Sequence, residues 1–466
     1  MKQYFVSLRA IAFVAILISG SLLQSCSKPH IRKSITALTP AEITTLRTGV
    51  AAMKAKPFSD KTSWDYQAWI HGTAAGGFNQ CQHGTIFFLS WHRMFLYYFE
   101  RILRKASGDP NFALPYWNYS DPAQRNLPDA FRNPANATNP LWIGNYPGAD
   151  PGRTPGVNSG AYSLPASAVA TSGFMPDATF YTMQGDLENT PHDDVHISLS
   201  ATMGGGGSAQ DPIFWLHHCN IDRYWTCWLS QGGGRAFPTD ATWLDQVYTF
   251  YDEDGNAVTM TGRQMVLLDP INYKYDDEPC TALKPIQIAN LQQFAKMVLI
   301  DTLRLGLRRA TMKLALPAEL RSQMDILSSG KAENAEGLML ELNFSNFHLP
   351  KIPEIFYEVY VNLPANADLE KIQFNDPHYI GNLSFFGFPS DDKPMHHHEG
   401  NPRTITLRMT DNLKTLVSRN EFNSSEVHLT FVPRALVDQN GADVLPKESP
   451  EISIGNVSVA VTRLKK

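Results

Sequence analysis

Two hydrophobic periods divide this chain. Phe87, Phe88, Trp91, Phe95, Leu96, Phe99, Ile102 and Leu103 recur three and four residues apart, which predicts a buried-faced helix. Ile213, Phe214, Leu216, His217, Ile221 and Trp225 predict a second, opened by Asp211-Pro212. Thr39-Pro40-Ala41-Glu42 has the form of a helix start: a capping Thr, Pro at the first helical position and Glu three after the cap. Residues 120–180 are full of Pro, Gly, Asn and Ala and read as long irregular loops. Residues 235–290 form a connector with short strand-like pieces, and 291–337 read as a linker. From 338 to 466 the period changes to two. Leu338–Leu342, Phe356–Val361, Thr404–Met409 and Val427–Val432 read as strands of a separate β domain.

The first residues carry a different pattern. Lys2 and Arg9 precede an apolar run from Ala10 to Leu23, too short to span a bilayer and suited to a signal peptide. Leu23-Gln24-Ser25-Cys26 follows. Leu three before a Cys and a small residue just before it resemble a bacterial lipoprotein cleavage site. The expectation is that residues 1–25 are removed and that Cys26 carries lipid. That would leave an exported periplasmic or outer-membrane-anchored protein. The remaining composition is that of a globular protein, with 43% hydrophobic and 18% charged residues, which excludes disorder as the main state. A net charge of −5 without a basic domain argues against nucleic acid as partner.

Five cysteines in 466 residues do not make a disulfide scaffold. Histidine is more informative. Of 14, eight precede residue 220, and six of them fall into two groups of three: His71, His83 and His92, then His192, His196 and His218. His192 and His196 are four apart and would share one helix face. Imidazole-only sites suit Cu, Zn, Fe or Ni rather than Mg or Ca. Three imidazoles leave a position at a metal for another ligand. Two such sites facing each other inside a helix bundle would make a dinuclear centre.

The contexts of these histidines resemble one family. Cys81-Gln82-His83, Trp91-His92-Arg93 and Leu114-Pro115-Tyr116-Trp117-Asn118 look like the first-copper region of the type 3 copper proteins, the tyrosinases, catechol oxidases and haemocyanins. Leu187–His196 and Asp211–Trp225 look like the second-copper region. Trp243-Leu244 and Phe250-Tyr251-Asp252-Glu253 resemble the segment after the core of plant-type polyphenol oxidases. Phe356–Arg434 resembles their C-terminal domain. The fold implied is a mainly α catalytic domain, a four-helix bundle holding two copper ions, at 27–290. An all-β sandwich that shields the active site and keeps the enzyme latent follows it. The activity implied is oxidation of o-diphenols to o-quinones by O2, with hydroxylation of monophenols as a further capacity. A haemocyanin-like oxygen binder is the alternative. A di-zinc hydrolase fits poorly, because no carboxylate lies among the six ligands.

The resemblance also assigns roles. His71, His83 and His92 would hold one copper and His192, His196 and His218 the other. His217 would point about 100° away from its neighbour and serve in packing or behind the ligands. Cys81 stands where some family members bond a cysteine sulfur to the ligand histidine, here His83. Phe88 and Phe214 would wall the substrate pocket, with Phe214 as gate. Glu188 would help hold a water near the coppers. Asp193 departs from the Asn that often marks hydroxylating enzymes; it would act as a base, leave the water poorly placed for hydroxylation, or serve as a helix-start carboxylate. Asp222, one turn after His218, would orient a ligand ring N–H, or pair with Arg223 or Arg93. Cys219 and Cys227 read as helix-packing residues, and with Cys280 allow at most one disulfide. Phe385-Phe386-Gly387-Phe388 is either a plug for the pocket or a core segment of the β domain. Met395-His396-His397-His398 is either a loose copper-loading site or an exposed turn.

Overall fold

A computed structural model describes residues 28–464, except 74–76, 145–152, 154, 161, 165–166, 172, 200, 269–271, 279, 281–290, 300–301, 317–320, 322–337, 352, 354, 370–371, 373–375, 384, 386–387, 389–403, 423–425, 438–442 and 445–447. The expected signal segment and lipidation site at Cys26 lie outside the described residues, as do Phe386, Gly387 and Met395–His398. Among the described residues no helix is long and apolar enough to cross a membrane.

A short strand β1 (His30–Arg32) leads into helix α1 (Pro40–Lys54). The Thr39 hydroxyl accepts the Glu42 N–H, and the Glu42 carboxylate accepts the Thr39 N–H, so the predicted capping box is present. Helices α2 (Trp64–His71) and α3 (Phe88–Ser107) follow. Helix α3 ends at Gly108, whose φ of +74° few residues but glycine adopt. After the loop region come α4 (Phe180–Leu187) and α5 (Asp194–Leu199). A wide turn, Glu188–Asp193, joins them and is broken at Thr190 by an extended backbone. Helix α6 (Pro212–Ser230) starts where the Asp211 carboxylate accepts the Ile213 N–H and also pairs with buried Arg153. Almost every side chain of α6 is buried, which makes it the central helix of the domain. It packs along α3, where Phe99 and Trp215 stack with ring centres 3.3 Å apart.

The connector adds a hairpin, β2 (Val247–Tyr251) with β3 (Ala257–Thr261), and the strand β4 (Tyr273–Tyr275). β4 pairs in parallel with β1, so the two ends of the domain meet. Alternation turns Arg32, Tyr273 and Tyr275 inward. The Arg32 side chain is fully buried. It donates to Glu100 of α3 at 2.8 Å and to Asp222 of α6 at 3.1 Å, and its guanidinium lies 3.6 Å from the centre of the Tyr273 ring. Arg93 of α3 donates to the other oxygen of Asp222 at 2.5 Å. The hydroxyls of Tyr273 and Tyr275 complete the set, at 2.7 and 2.6 Å from Asp222. Cys280, just beyond β4, forms a disulfide with Cys227 of α6. Cys227 was expected as a packing thiol. It is instead a covalent link, because α6 and the connector come together at a point the sequence does not reveal. Cys81 and Cys219 are free and buried.

The second domain is a sandwich of two five-stranded antiparallel sheets. Its strands are β5 (Leu291–Leu299), β6 (Leu303–Leu305), β7 (Ala310–Ala315), β8 (Leu338–His348), β9 (Ile355–Val361), β10 (Tyr379–Leu383), β11 (Ile405–Arg408), β12 (Glu426–Val437), β13 (Asp443–Val444) and β14 (Ile452–Leu464). One sheet runs β11-β8-β14-β5, with β6 also on β14; the other runs β10-β9-β12-β13, with β7 also on β12. This corrects the linker expected at 291–337. Residues 291–315 supply three of the strands, joining β14 and β12 in register. Leu303–Leu305 and Ala310–Ala315 are short and interrupted by Arg304 and Lys313, and Leu291–Leu299 is broken by Gln292, Gln293 and Lys296, so each alone reads as polar, although Leu303, Leu305 and Leu314 alternate into the core. Phe385 and Phe388 also lie in that core, packed on Phe347 and Tyr357. The described part of the suspected plug is therefore sandwich core.

Burial alone would raise the carboxyls of Glu100 and Asp222, but Arg32 beside both, with Arg104 and Arg93, brings them below the usual carboxylate range. A pKa lowered by folding stabilises the fold above about pH 4, and the gain disappears as the pH falls. Arg32→Met should lower the unfolding free energy by about 3–5 kcal/mol and weaken this acid dependence. Urea unfolding at pH 7 and pH 4 checks this; a loss under about 1 kcal/mol would put the anchoring elsewhere. Cys280→Ser should cost about 2–4 kcal/mol in the same assay, since the disulfide closes a loop of 53 residues.

Candidate metal centre

Six elements bring the histidines together. His71 is the last residue of α2, His83 lies in the loop before α3, and His92 sits in its second turn. His192 comes from the wide turn, His196 from α5, and His217 and His218 from α6. All seven are buried. Ligand atoms of His71, Cys81, His83 and His92 lie within 4.8 Å of one another, as do those of His192, His196, His217 and His218. The groups face each other: the rings of His92 and His218 stack with centres 4.4 Å apart, and those of His83 and His192 are 5.4 Å apart.

Hydrogen bonds aim these rings. The Nδ1–H of His71 donates to the Gly206 carbonyl at 3.0 Å, that of His92 to Phe88 at 2.8 Å and that of His196 to Met203 at 2.8 Å. The Asp193 carboxylate accepts from His192 Nδ1 at 2.8 Å. Four imidazoles thus carry their proton on Nδ1 and turn the Nε2 lone pair inward. Burial holds them uncharged. It lowers His71 to about 4 and His196 to about 3, and pushes His92, His192 and His218 well down, helped by the neighbouring imidazoles. Neutral imidazole is the metal-binding form. The Nε2 of His71 is buried without a hydrogen-bond partner, and those of His196 and His218 face each other at 3.2 Å. A cluster of inward-facing lone pairs without a carboxylate among them fits soft or borderline metal ions such as copper.

The other expected residues fall as follows. Phe214 touches both groups, with ring centres 4.1 Å from His218 and 4.8 Å from His71. Phe88 does the same, at 4.6 Å from both His92 and His192. The Glu188 carboxylate accepts the Gly84 N–H at 2.6 Å, beside His83. The Cys81 sulfur lies 3.6 Å from His83 Nε2 and 3.3 Å from His92 Nε2. Burial and the Glu188 charge push its thiol well up.

Asp222 orients no histidine. Its oxygens are taken by Arg32, Arg93 and two tyrosines, so it acts on the helices and not on the ligands. His217 is not turned away from the centre. Helix α6 is enclosed on all sides, and the His217 ring stacks on His192 with centres 5.5 Å apart. The Tyr119 hydroxyl holds its Nδ1 at 2.9 Å. The segment 201–210, which supplies the carbonyls of Met203 and Gly206, went unrecognised; the run Gly204–Gly207 was its only trace in the sequence. The sandwich meets this region where the Asn189 amide, next to Glu188, donates to the Thr404 carbonyl at 2.8 Å.

Residues 61–156 and 170–231 match the family model for the common central domain of tyrosinase, and 238–285 match the polyphenol oxidase middle domain. These stretches are similar to the type 3 copper family. The two histidine groups suit the dinuclear copper centre of that family. Residues 300–462 match a domain model of unknown function, DUF7868. Among curated type 3 copper proteins, a tyrosinase of Hahella sp. (strain CCB-MM4) is 26% identical over 459 residues, covering 88% of this chain and 94% of that protein. A chloroplastic polyphenol oxidase A1 of Vicia faba is 27% identical, covering 82% of this chain and 70% of its own length. In fold, a latent aurone synthase superposes with a TM-score of 0.61 at 20% identity, over 94% of this chain and 91% of that one. A latent apple tyrosinase gives 0.58 at 21% identity, over 93% and 97%.

Proposed function

We propose that this type 3 copper protein is a phenol oxidase that converts o-diphenols to o-quinones with O2. The observation that carries the proposal is the pair of facing, buried and uncharged imidazole groups between two phenylalanine rings. We assign His71, His83 and His92 to one copper and His192, His196 and His218 to the other. Bound copper supplies the exchange of electrons between phenol and dioxygen. Each diphenol gives up two electrons and two protons, so two diphenols reduce one O2 to two waters.

The chain's own groups do the rest. Nδ1 hydrogen bonds hold four ligand rings before metal arrives, which limits reorganisation on loading. Phe214 and Phe88 give a flat aromatic substrate apolar faces and keep water out. Cys81 lies within reach of a covalent bond from its sulfur to a ring carbon of His83 that would fix that loop; forming it removes one hydrogen from each partner, with O2 as the acceptor of the two electrons and two protons. Asp193 bears on the choice of reaction. Its carboxylate is engaged at His192 Nδ1, so it orients a ligand instead of standing free to take a phenol proton. This supports diphenol oxidation over monophenol hydroxylation. Glu188 is held by Gly84 N–H and remains the candidate to position a water.

We further propose that the sandwich keeps the enzyme latent by covering the site from the Asn189–Thr404 side. Export with a lipid on Cys26 completes the reading.

The copper-loaded protein should contain two coppers per chain and consume one O2 for every two catechols. His192→Ala should bind one copper and lose turnover, while His217→Ala should keep both coppers; elemental analysis and an oxygen electrode decide. Two coppers retained in His192→Ala would sink the ligand assignment. Oxidation of catechol should exceed that of tyramine by a wide margin, and removal of the sandwich should raise the rate. Equal rates on both phenols would refute the role given to Asp193. Peptide mass spectrometry of the matured protein should find the peptide joining Cys81 to His83 lighter by two hydrogens and inert to alkylation.

A further inference from the structure

We infer that the outer face of the β1–β4 pair is a membrane-contact surface that lies against the phospholipid headgroups. The inference rests on the proposed lipid at Cys26 and goes beyond it, because an anchor alone does not say which face of a protein meets the bilayer.

The argument begins with reach. His30 is already fixed, its N–H donating to the Asn272 carbonyl at 3.0 Å and its strand paired to β4. Four residue steps separate it from Cys26, a span of at most about 14 Å even when fully extended. The acyl chains begin at Cys26, and the headgroup layer is itself several ångströms deep. A domain held this close has little freedom to stand off. The surface around β1 must meet lipid.

That surface has the matching chemistry. Because alternation sends Arg32, Tyr273 and Tyr275 inward, it sends Ile31 and its register partner Lys274 outward. Ile31 is 44% exposed. Leu267, at 59%, is the most exposed large hydrophobic residue among those described. It lies close in the chain to the start of the pair: its neighbour Leu268 accepts the N–H of Asn272, the residue whose carbonyl receives the His30 N–H. Exposed Lys28 enters the strand from the Cys26 side. Exposed Ile31 and Leu267, with Lys28 and Lys274 and a single exposed carboxylate at Asp276, suit an interface with headgroups, in a chain whose formal charge is −5.

The test uses the lipidated, copper-loaded chain in vesicles of phosphatidylethanolamine and phosphatidylglycerol, with single cysteines introduced by Ile31→Cys, Leu267→Cys and, as a control on the sandwich, Arg419→Cys. The native free thiols are buried and should stay silent to a membrane-impermeant maleimide. Labelling at 31 and 267 should be roughly tenfold slower on vesicles than in the soluble Cys26→Ser version of each variant, while labelling at 419 is unchanged. Equal labelling at all three positions, in protein that carries lipid and floats with the vesicles, overturns the contact surface and leaves the anchor standing. Protein that mass spectrometry shows to lack lipid, and that stays off the vesicles, overturns both.

Discussion

The copper domain is built around one buried carboxylate. Asp222 receives Arg93 from the neighbouring helix, Arg32 from the first strand and two tyrosine hydroxyls from the last. Neither guanidinium could be buried alone, and neither could the carboxylate. Their mutual satisfaction fixes α3 against α6 and closes the chain's two ends over both. His92 stands one residue before Arg93, and His218 one turn before Asp222. The spacing between the two histidine groups is therefore inherited from an ionic contact that touches neither.

A second constraint acts through backbone. The stretch between α5 and α6 presents the Met203 carbonyl to His196 and the Gly206 carbonyl to His71, so one segment sets a ring in each group. It also receives the indole N–H groups of Trp64 and Trp215, at Gln210 and Ala209. A shift in this segment would turn rings of both groups at once. The two histidine groups are tied together for that reason, even though they are spread over nearly 150 residues of sequence.

Much of this could be read before the structure, for identifiable reasons. The long aromatic helices announce themselves because burial on a helix repeats every three to four residues. The six histidines stand out because titratable groups are rare in such apolar surroundings. Features that depend on distant contacts were silent. Arg32 is one arginine in a polar lead-in, and nothing local shows that Glu100 and Asp222 await it. Carbonyl groups leave no side-chain signature, so the aiming of His71 and His196 was hidden. Asp222 had the right spacing to serve a ligand and two arginines within reach, and only three-dimensional proximity chose between them. The strands at 291–315 were missed because lysine or arginine breaks the pattern of each; their partners lie more than 100 residues away.

The disulfide has a consequence for how the chain can be shortened. It ties residue 280 to α6, and the pairing of β1 with β4 ties residues 273–275 to residues 30–32. The copper domain is thus a closed loop, fastened to itself ahead of the first strand of the sandwich. A peptide bond broken beyond Cys280 cuts the sandwich off without opening the ring, and the core that remains keeps both of its ends. Copper domain and sandwich are in this sense two objects sharing one chain, with the border written in sulfur.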